Sequence, residues 1–279
     1  VLNAENGYEY ERTITPSDEK KKVVVIGGGV AGMEAARVAS VKGHEVVLFE
    51  KETTLGGQLN IASIPPRKSE MNRALRYLTN EMKELHVDLR LGRTADAEMI
   101  LAENPDNVIV AAGAHNVIPP IEGSKMPHVF DAWKVLNHEE LPSGRVVVIG
   151  GGLVGLETAD TLATDGCEVT VLEMKDSIGS DLGSLRKIAV MMKMQQLQVK
   201  LLPNSKVCKF TEEGIVLEDG TQIPCECAVF AVGFLANDSH PLAEVCEKRK
   251  LPYYVIGDAK SARRALDAIA EGFEVARTL

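Results

Sequence analysis

Aromatic residues and cysteine are both scarce in this chain. Its 279 residues include one tryptophan, five tyrosines, six phenylalanines and five cysteines. The cysteines, Cys167, Cys208, Cys225, Cys227 and Cys246, are odd in number and scattered, which excludes a disulfide framework and points to a reducing, cytoplasmic setting. Cys225-Glu226-Cys227 is the one close pair, but it is not CxxC and has no matching second pair. It reads as the start of a strand, and no metal site is expected. Six histidines are dispersed without ligand spacing, and only His115, just after a strand end, is of interest. Trp133 reads as a packing residue near a domain junction. No Ser-His-Asp or paired-carboxylate pattern is present, so no catalytic side chain is expected. No apolar run approaches the ~18 residues a membrane span requires. A net charge of −9 excludes a nucleic-acid surface. The first 22 residues are polar, end in Glu19-Lys20-Lys21-Lys22 and are not expected to act as a secretory signal. Tyr8 to Lys22 reads as an exposed linker.

Glycine, by contrast, is concentrated in a motif that occurs twice. Val23 to Ala36 reads VVVIGGGVAGMEAA and Val146 to Ala159 reads VVVIGGGLVGLETA, identical at ten of fourteen positions. Glu50 follows Gly32 by 18 residues, and Glu173 follows Gly155 by 18. The β-branched run predicts a strand buried on both faces. Gly27 permits the turn, Gly29 lets backbone approach a pyrophosphate, and Gly32 lets the helix pack on the strand. The helix beginning at Val30 and Ala31 offers unpaired amides and partial positive charge to phosphate. Glu50, followed by Lys51, is placed to accept hydrogen bonds from ribose hydroxyls. Gly150, Gly152 and Gly155 repeat the glycine roles, with Leu153 and Val154 opening the helix and Glu173 as the acid. A carboxylate there repels a 2′-phosphate, so NAD is favoured over NADP. Strand, helix and acid all recur at fixed distances, which argues against two chance glycine turns.

Further along the chain, Gly56-Gly57-Gln58 permits close backbone approach to a ligand. A helix is predicted from Ser69 to Leu85 and a strand from Val87 to Leu91. A buried strand from Asn107 ends in Ala111-Ala112-Gly113, echoed by Ala231-Val232-Gly233 at the end of the second copy. A helix near Ser184 to Leu197 and a hairpin, Lys206 to Phe210 with Gly214 to Glu218, complete the second half. Residues 236 to 279 repeat nothing: a strand from Tyr253 runs into Gly257-Asp258, and a helix is expected from about Ala262. This tail is expected to complete the first domain. The fold expected is therefore α/β, two Rossmann-like dinucleotide-binding domains with the second inserted into the first. The divisions expected are a linker at 1–21, an FAD-binding domain at 22–140 plus 236–279, and an NAD-binding domain at 141–235.

These residues together resemble the two-dinucleotide-binding flavoproteins. That resemblance implies FAD held by the first fingerprint, Glu50, Gly56-Gly57-Gln58 and Ala111-Ala112-Gly113. It implies that Asp258 hydrogen-bonds the flavin's ribityl or pyrophosphate region and that the inserted domain binds the pyridine nucleotide. Ala112 and Val232 depart from the family's usual threonine. A narrower match, Gly56-Gly57-Gln58-Leu59 with Ala62 and Pro65-Pro66-Arg67-Lys68-Ser69-Glu70, is similar to the C-terminal part of 2,4-dienoyl-CoA reductases, enoate reductases and trimethylamine dehydrogenase. Val1-Leu2-Asn3-Ala4 resembles the stretch after that family's last iron–sulfur cysteine. With no starting methionine, the chain is expected to be a piece of a larger enzyme. Its partner would be its own N-terminal barrel, where FMN and a 4Fe-4S cluster are expected. The resemblance implies NADH oxidation, with electrons passed through FAD toward reduction of an activated C=C bond. Homo-oligomerisation is left open. The alternative is a non-catalytic module of the same family that holds ADP. A disulfide reductase would need cysteines after Gly57, where Gln58, Leu59 and Asn60 stand.

Overall fold

The computed structural model describes residues 3–279. Val1 and Leu2, part of the expected linker, lie outside the described residues. The chain begins β1 (Lys22–Ile26), α1 (Val30–Val41), β2 (Glu45–Glu50), α2 (Gln58–Ala62), α3 (Met71–Glu84), β3 (Asp88–Leu91), α4 (Ala97–Ala102) and β4 (Asn107–Val110). It continues with β5 (Ala114–Asn116), β6 (Val129–Asp131), α5 (Ala132–Leu136), β7 (Arg145–Ile149), α6 (Leu153–Thr164), β8 (Glu168–Leu172) and α7 (Ser184–Gln196). Then come β9 (Lys200–Leu202), β10 (Val207–Thr211), β11 (Gly214–Leu217), β12 (Gln222–Pro224), β13 (Cys227–Phe230) and β14 (Phe234–Ala236). The chain closes with α8 (His240–Arg249), β15 (Tyr253–Val255), a 3-10 turn over Gly257–Ala259 and α9 (Ala265–Arg277).

Two compact units emerge. One comprises the residues up to Ser63, Ser69–His115 and Leu235–Leu279; the other comprises Ile64–Lys68 and Asn116–Phe234. The α/β fold class expected, with one Rossmann-like unit interrupting the other, is the one found.

The first unit is built on a parallel sheet of order β15-β4-β1-β2-β3. β1 lies at its centre, and Val23, Val24 and Val25 are fully buried, as an apolar strand covered on both faces requires. Met33, Ala35, Ala36, Val38 and Ala39 of α1 pack with Ile269, Phe273 and Ala276 of α9 in one core. The second unit has a parallel sheet of order β6-β13-β7-β8-β9. Its β7 is central in the same way. An antiparallel sheet β10-β11-β12 packs Phe210 and Ile215 against Phe230 of β13. The predicted hairpin therefore gains a third strand. Trp133 stacks on Phe234, ring centroids 5.2 Å apart.

Helix ends differ from the expectations in interpretable ways. The last helix starts at Ala265, where the Arg264 amide donates to the Asp267 carboxylate as a cap, rather than at Ala262. Helix α8 escaped the sequence reading. Its Pro241 at the first turn, a residue that fits there because its nitrogen needs no acceptor, is a weak signal in an otherwise polar stretch.

Candidate dinucleotide sites

In the first unit the fingerprint closes into a cradle at the carboxyl end of β1. Gly27 has φ +106°, and a Cβ there would strike the Ala111 carbonyl. A Cβ on Gly32 would strike the Gly27 carbonyl, so helix and strand touch only because both side chains are absent. Gly29 is different: nothing lies within 4 Å of an added Cβ. It caps α1, whose first residues are Val30 and Ala31, and leaves the helix N-terminus open to an approaching phosphate.

Glu50 is 6% exposed and fixed by two backbone donors, the Gly28 amide at 2.6 Å and the Glu52 amide at 2.8 Å. A carboxylate has about four acceptor positions, so capacity for ribose hydroxyls remains. The Gly56 amide donates to the Gly28 carbonyl at 2.8 Å, and Gly57, φ +51°, lies against Gly29. Gln58 Nε2 donates to Asp258 Oδ2 at 3.1 Å. The Ala111 amide donates to the Ile26 carbonyl at 2.7 Å, and Gly257 packs on Ala31. Gly27 to Gly32, Glu50, Gly56 to Gln58, Ala111 to Gly113 and Gly257-Asp258 thus converge at one sheet end. Lys51 does not join them; its exposed side chain faces Glu52 at 3.7 Å.

Two supporting residues escaped the sequence reading. Asn237 donates its Nδ2 to the Ala112 carbonyl at 2.7 Å and its amide to the Gly113 carbonyl at 3.0 Å. Its Oδ1 meets His115 Nδ1 at 2.8 Å, so His115 supports the strand end through Asn237. Glu271 of α9 accepts the Gly257 amide at 2.7 Å and is paired with Arg263 and Lys260. Burial pushes its carboxyl upward, but Arg263, the Gly257 amide and Lys260 outweigh burial and hold it below the usual range. Neither position belongs to a recognisable motif, because each acts on backbone distant in sequence.

The second unit repeats the arrangement 123 residues on. Gly150 has φ +108° and faces the Ala231 carbonyl; Gly155 faces the Gly150 carbonyl. Glu173 accepts the Gly151 amide at 2.8 Å and the Lys175 amide at 2.9 Å. The repeat continues past Glu173. Gly179 stands to Glu173 as Gly56 stands to Glu50, and its amide donates to the Gly151 carbonyl at 2.7 Å. Ile178 fills the place of Leu55 beside the middle glycine. Gly152 caps α6, and the amide of Leu153, ahead of Val154, donates to Asp181 Oδ2 at 2.9 Å. Gly233, φ +121°, has open space where a side chain would point.

The cysteines stand apart from both cradles in chemistry. Burial foremost, with Cys227 and Glu226 adding, pushes the Cys225 thiol up to about 11. Burial likewise raises Cys167. Neutral thiols of this kind are poor nucleophiles. Among the described residues no cluster could hold a metal ion, and no helix is long and apolar enough to cross a membrane.

Known proteins share this arrangement. The chain is 67% identical over its whole length to 44% of a bilirubin reductase of Mediterraneibacter gnavus (strain CC55_001C). Over 92% of its length it is 40% identical to 41% of an NADH oxidase of Thermoanaerobacter brockii. A solved 2-naphthoyl-CoA reductase in complex with 2-naphthoyl-CoA superposes with a TM-score of 0.91 at 30% identity, covering 98% of this chain and 42% of that one. The chain therefore spans about two fifths of the length of these relatives. These matches bear out the resemblance to the C-terminal part of 2,4-dienoyl-CoA reductase-like enzymes. The profile described as Pyridine nucleotide-disulphide oxidoreductase matches residues 21–253. The chain belongs to the pyridine nucleotide-disulphide oxidoreductase family, whose cofactors are FAD and NADH.

Proposed function

We propose that this chain is the NADH-oxidising flavin module of a larger reductase, with FAD in the first unit and NADH in the second. The observation that carries the reading is the pairing of Glu50 with the Gly28 amide and of Glu173 with the Gly151 amide in two complete cradles. Bound FAD and NADH supply the chemistry, which is hydride transfer from nicotinamide to flavin. The protein's part is to bind and orient. Gly29 and Gly152 cap the helices that face each pyrophosphate, and Glu50 and Glu173 accept ribose hydroxyls. Asp258, positioned by Gln58 and by the Arg263 amide at 3.1 Å, is placed to hold the flavin's ribityl or pyrophosphate region. Glu173 disfavours a 2′-phosphate, so NADH is preferred over NADPH. No side-chain acid or base is needed.

Beyond the chain, electrons would leave for an N-terminal barrel carrying FMN and a 4Fe-4S cluster, which would reduce an activated C=C bond. The bilirubin and naphthoyl-CoA reductases among the relatives support that destination. The segment after Gly57 offers Gln58, Leu59 and Asn60 rather than cysteine, which argues against a dithiol acceptor within the chain.

The test is an absorption spectrum of the purified chain followed by anaerobic NADH. The expected result is a flavin spectrum that bleaches with NADH and far less with NADPH. A colourless protein, inert after FAD is supplied, would overturn the proposal and favour a structural module that holds ADP.

A further inference from the structure

The second cradle carries an anion of its own. Asp181 Oδ2 accepts the hydrogen bond of the Leu153 amide at 2.9 Å and would lie 3.3 Å from a Cβ on Gly152. That amide and that glycine are the groups a dinucleotide pyrophosphate uses at a helix N-terminus. The loop that presents Asp181 is firmly seated: Ile178 is 8% exposed, and the Gly179 amide is bonded to the Gly151 carbonyl at 2.7 Å. Asp181 itself is exposed, so its side chain is free to rotate away while the loop stays in place.

The first cradle has no equivalent. The residue at the same offset from the ribose-site acid is Gln58, which is uncharged and turned to Asp258. Gly29 there faces open space. At the helix N-terminus the two sites thus differ in that one is covered by a carboxylate.

We propose that Asp181 is an internal competitor for the NADH pyrophosphate. It caps α6 while the second site is empty and is displaced when the dinucleotide binds. Two anions cannot share one helix N-terminus, so each entry of NADH must expel the carboxylate and each release of NAD lets it return. Such a device suits a nucleotide that exchanges at every turnover. A flavin that stays bound has no use for one. Asp181 is in this sense an affinity-setting residue, not a catalytic one. The inference rests on the assignment of NADH to the second unit.

The test is Asp181→Asn in the full 279-residue chain. Asparagine keeps an oxygen acceptor for the Leu153 amide and removes the charge. ADP-ribose, which carries the pyrophosphate but no nicotinamide, and adenosine, which carries no phosphate, are titrated by calorimetry. The variant should bind ADP-ribose about three-fold tighter, the size of a charge effect at a helix N-terminus, with adenosine binding unchanged. The gain should shrink at high salt. Asp181→Ser, also a capping residue without charge, should behave the same and guards against a folding defect in one variant. Equal ADP-ribose affinity in wild type and both variants, or a gain shared by adenosine, would overturn the inference while leaving the nucleotide assignment standing. A wild-type chain that binds neither ADP-ribose nor NADH would overturn the assignment and the inference with it.

Discussion

The two units solve one problem with the chain running in different orders. Each places its fingerprint strand at the centre of a five-stranded parallel sheet. In the first unit the edge strand beside β4 is β15, from the end of the chain. In the second unit the matching place beside β13 is taken by β6, which precedes the fingerprint. Helix follows strand in both cases: α9 after β15, α5 after β6. The tail, whose sequence repeats nothing, therefore has a structural counterpart, permuted to the other end of its unit. Sheet pairing rewards a strand of the right face and direction; it is indifferent to when that strand is synthesised.

The permutation has consequences. α9 has thirteen residues, buries Ile269, Phe273 and Ala276, and approaches so closely that a Cβ on Gly272 would strike the Ala31 carbonyl. α5 has only five residues. The Asp131 carboxylate at its start caps α5 itself, accepting the Trp133 amide at 2.7 Å. In the first unit the same region delivers Asp258 to the cradle. A second difference lies on the fingerprint helices. Arg37 pairs with Glu34 within α1, but its counterpart in α6 is Asp160, which takes Arg67 at 2.7 Å, while Glu157 takes Lys68 and Arg186. Arg67 and Lys68 lie in the short segment Ile64–Lys68, which belongs to the second unit.

The largest effects are expected at the glycines. Gly32→Ala and Gly155→Ala each drive a methyl group into a backbone carbonyl, at a cost of about 2 kcal/mol or more. Gly32→Ala should lose the flavin absorbance, whereas Gly155→Ala should keep it and lose bleaching by NADH. Loss of flavin from both variants would show that the two cradles do not divide the cofactors.

A smaller effect is expected at the acids. Glu173→Ala should raise the KM for NADH about ten-fold, the size of a hydrogen bond to a charged group, and narrow the preference over NADPH. Stopped-flow flavin reduction measures both. Unchanged NADH kinetics would remove Glu173 from the site.

The smallest concerns Glu271 of α9; in the second unit the acid that accepts the amide at the end of β6, Glu140, lies beyond the short α5. The Glu271 carboxyl is held below the ordinary value, so the charged form stabilises the fold at pH above about 4.5, and that contribution disappears as pH falls through the lowered value. Glu271→Gln should cost about 1 kcal/mol at pH 7 by urea unfolding, with the gap to wild type closing in acid. A gap that persists unchanged at pH 3 would mean that the charge is irrelevant.

Much of the site was legible because it is local. Gly27, Gly29, Gly32 and Glu50 lie within one βαβ unit, where backbone sterics and strand periodicity fix geometry from residues near in sequence. The same holds for Gly150 to Glu173. Asn237 and Glu271 were not legible as supports, since each bonds backbone outside its own element, and His115 acts only through the Asn237 side chain. Asp181 was hidden for another reason. Its place is set by Gly179 pairing with Gly151, a repeat carried by one glycine and one apolar residue rather than by an identical string.

The two fingerprints with their strands and helices follow from local sequence, because β-branched runs, glycine turns and the acid spacing are short-range constraints, and the insertion of one unit into the other follows from the strand and helix left over at the chain's end. Only the folded chain shows that β6 fills the edge of the second sheet, which side chains brace the cradles, and that a carboxylate covers one helix N-terminus and leaves the other open. Those outcomes depend on backbone groups seeking partners across the chain, and an amide left without an acceptor is satisfied by whichever residue the fold brings within reach.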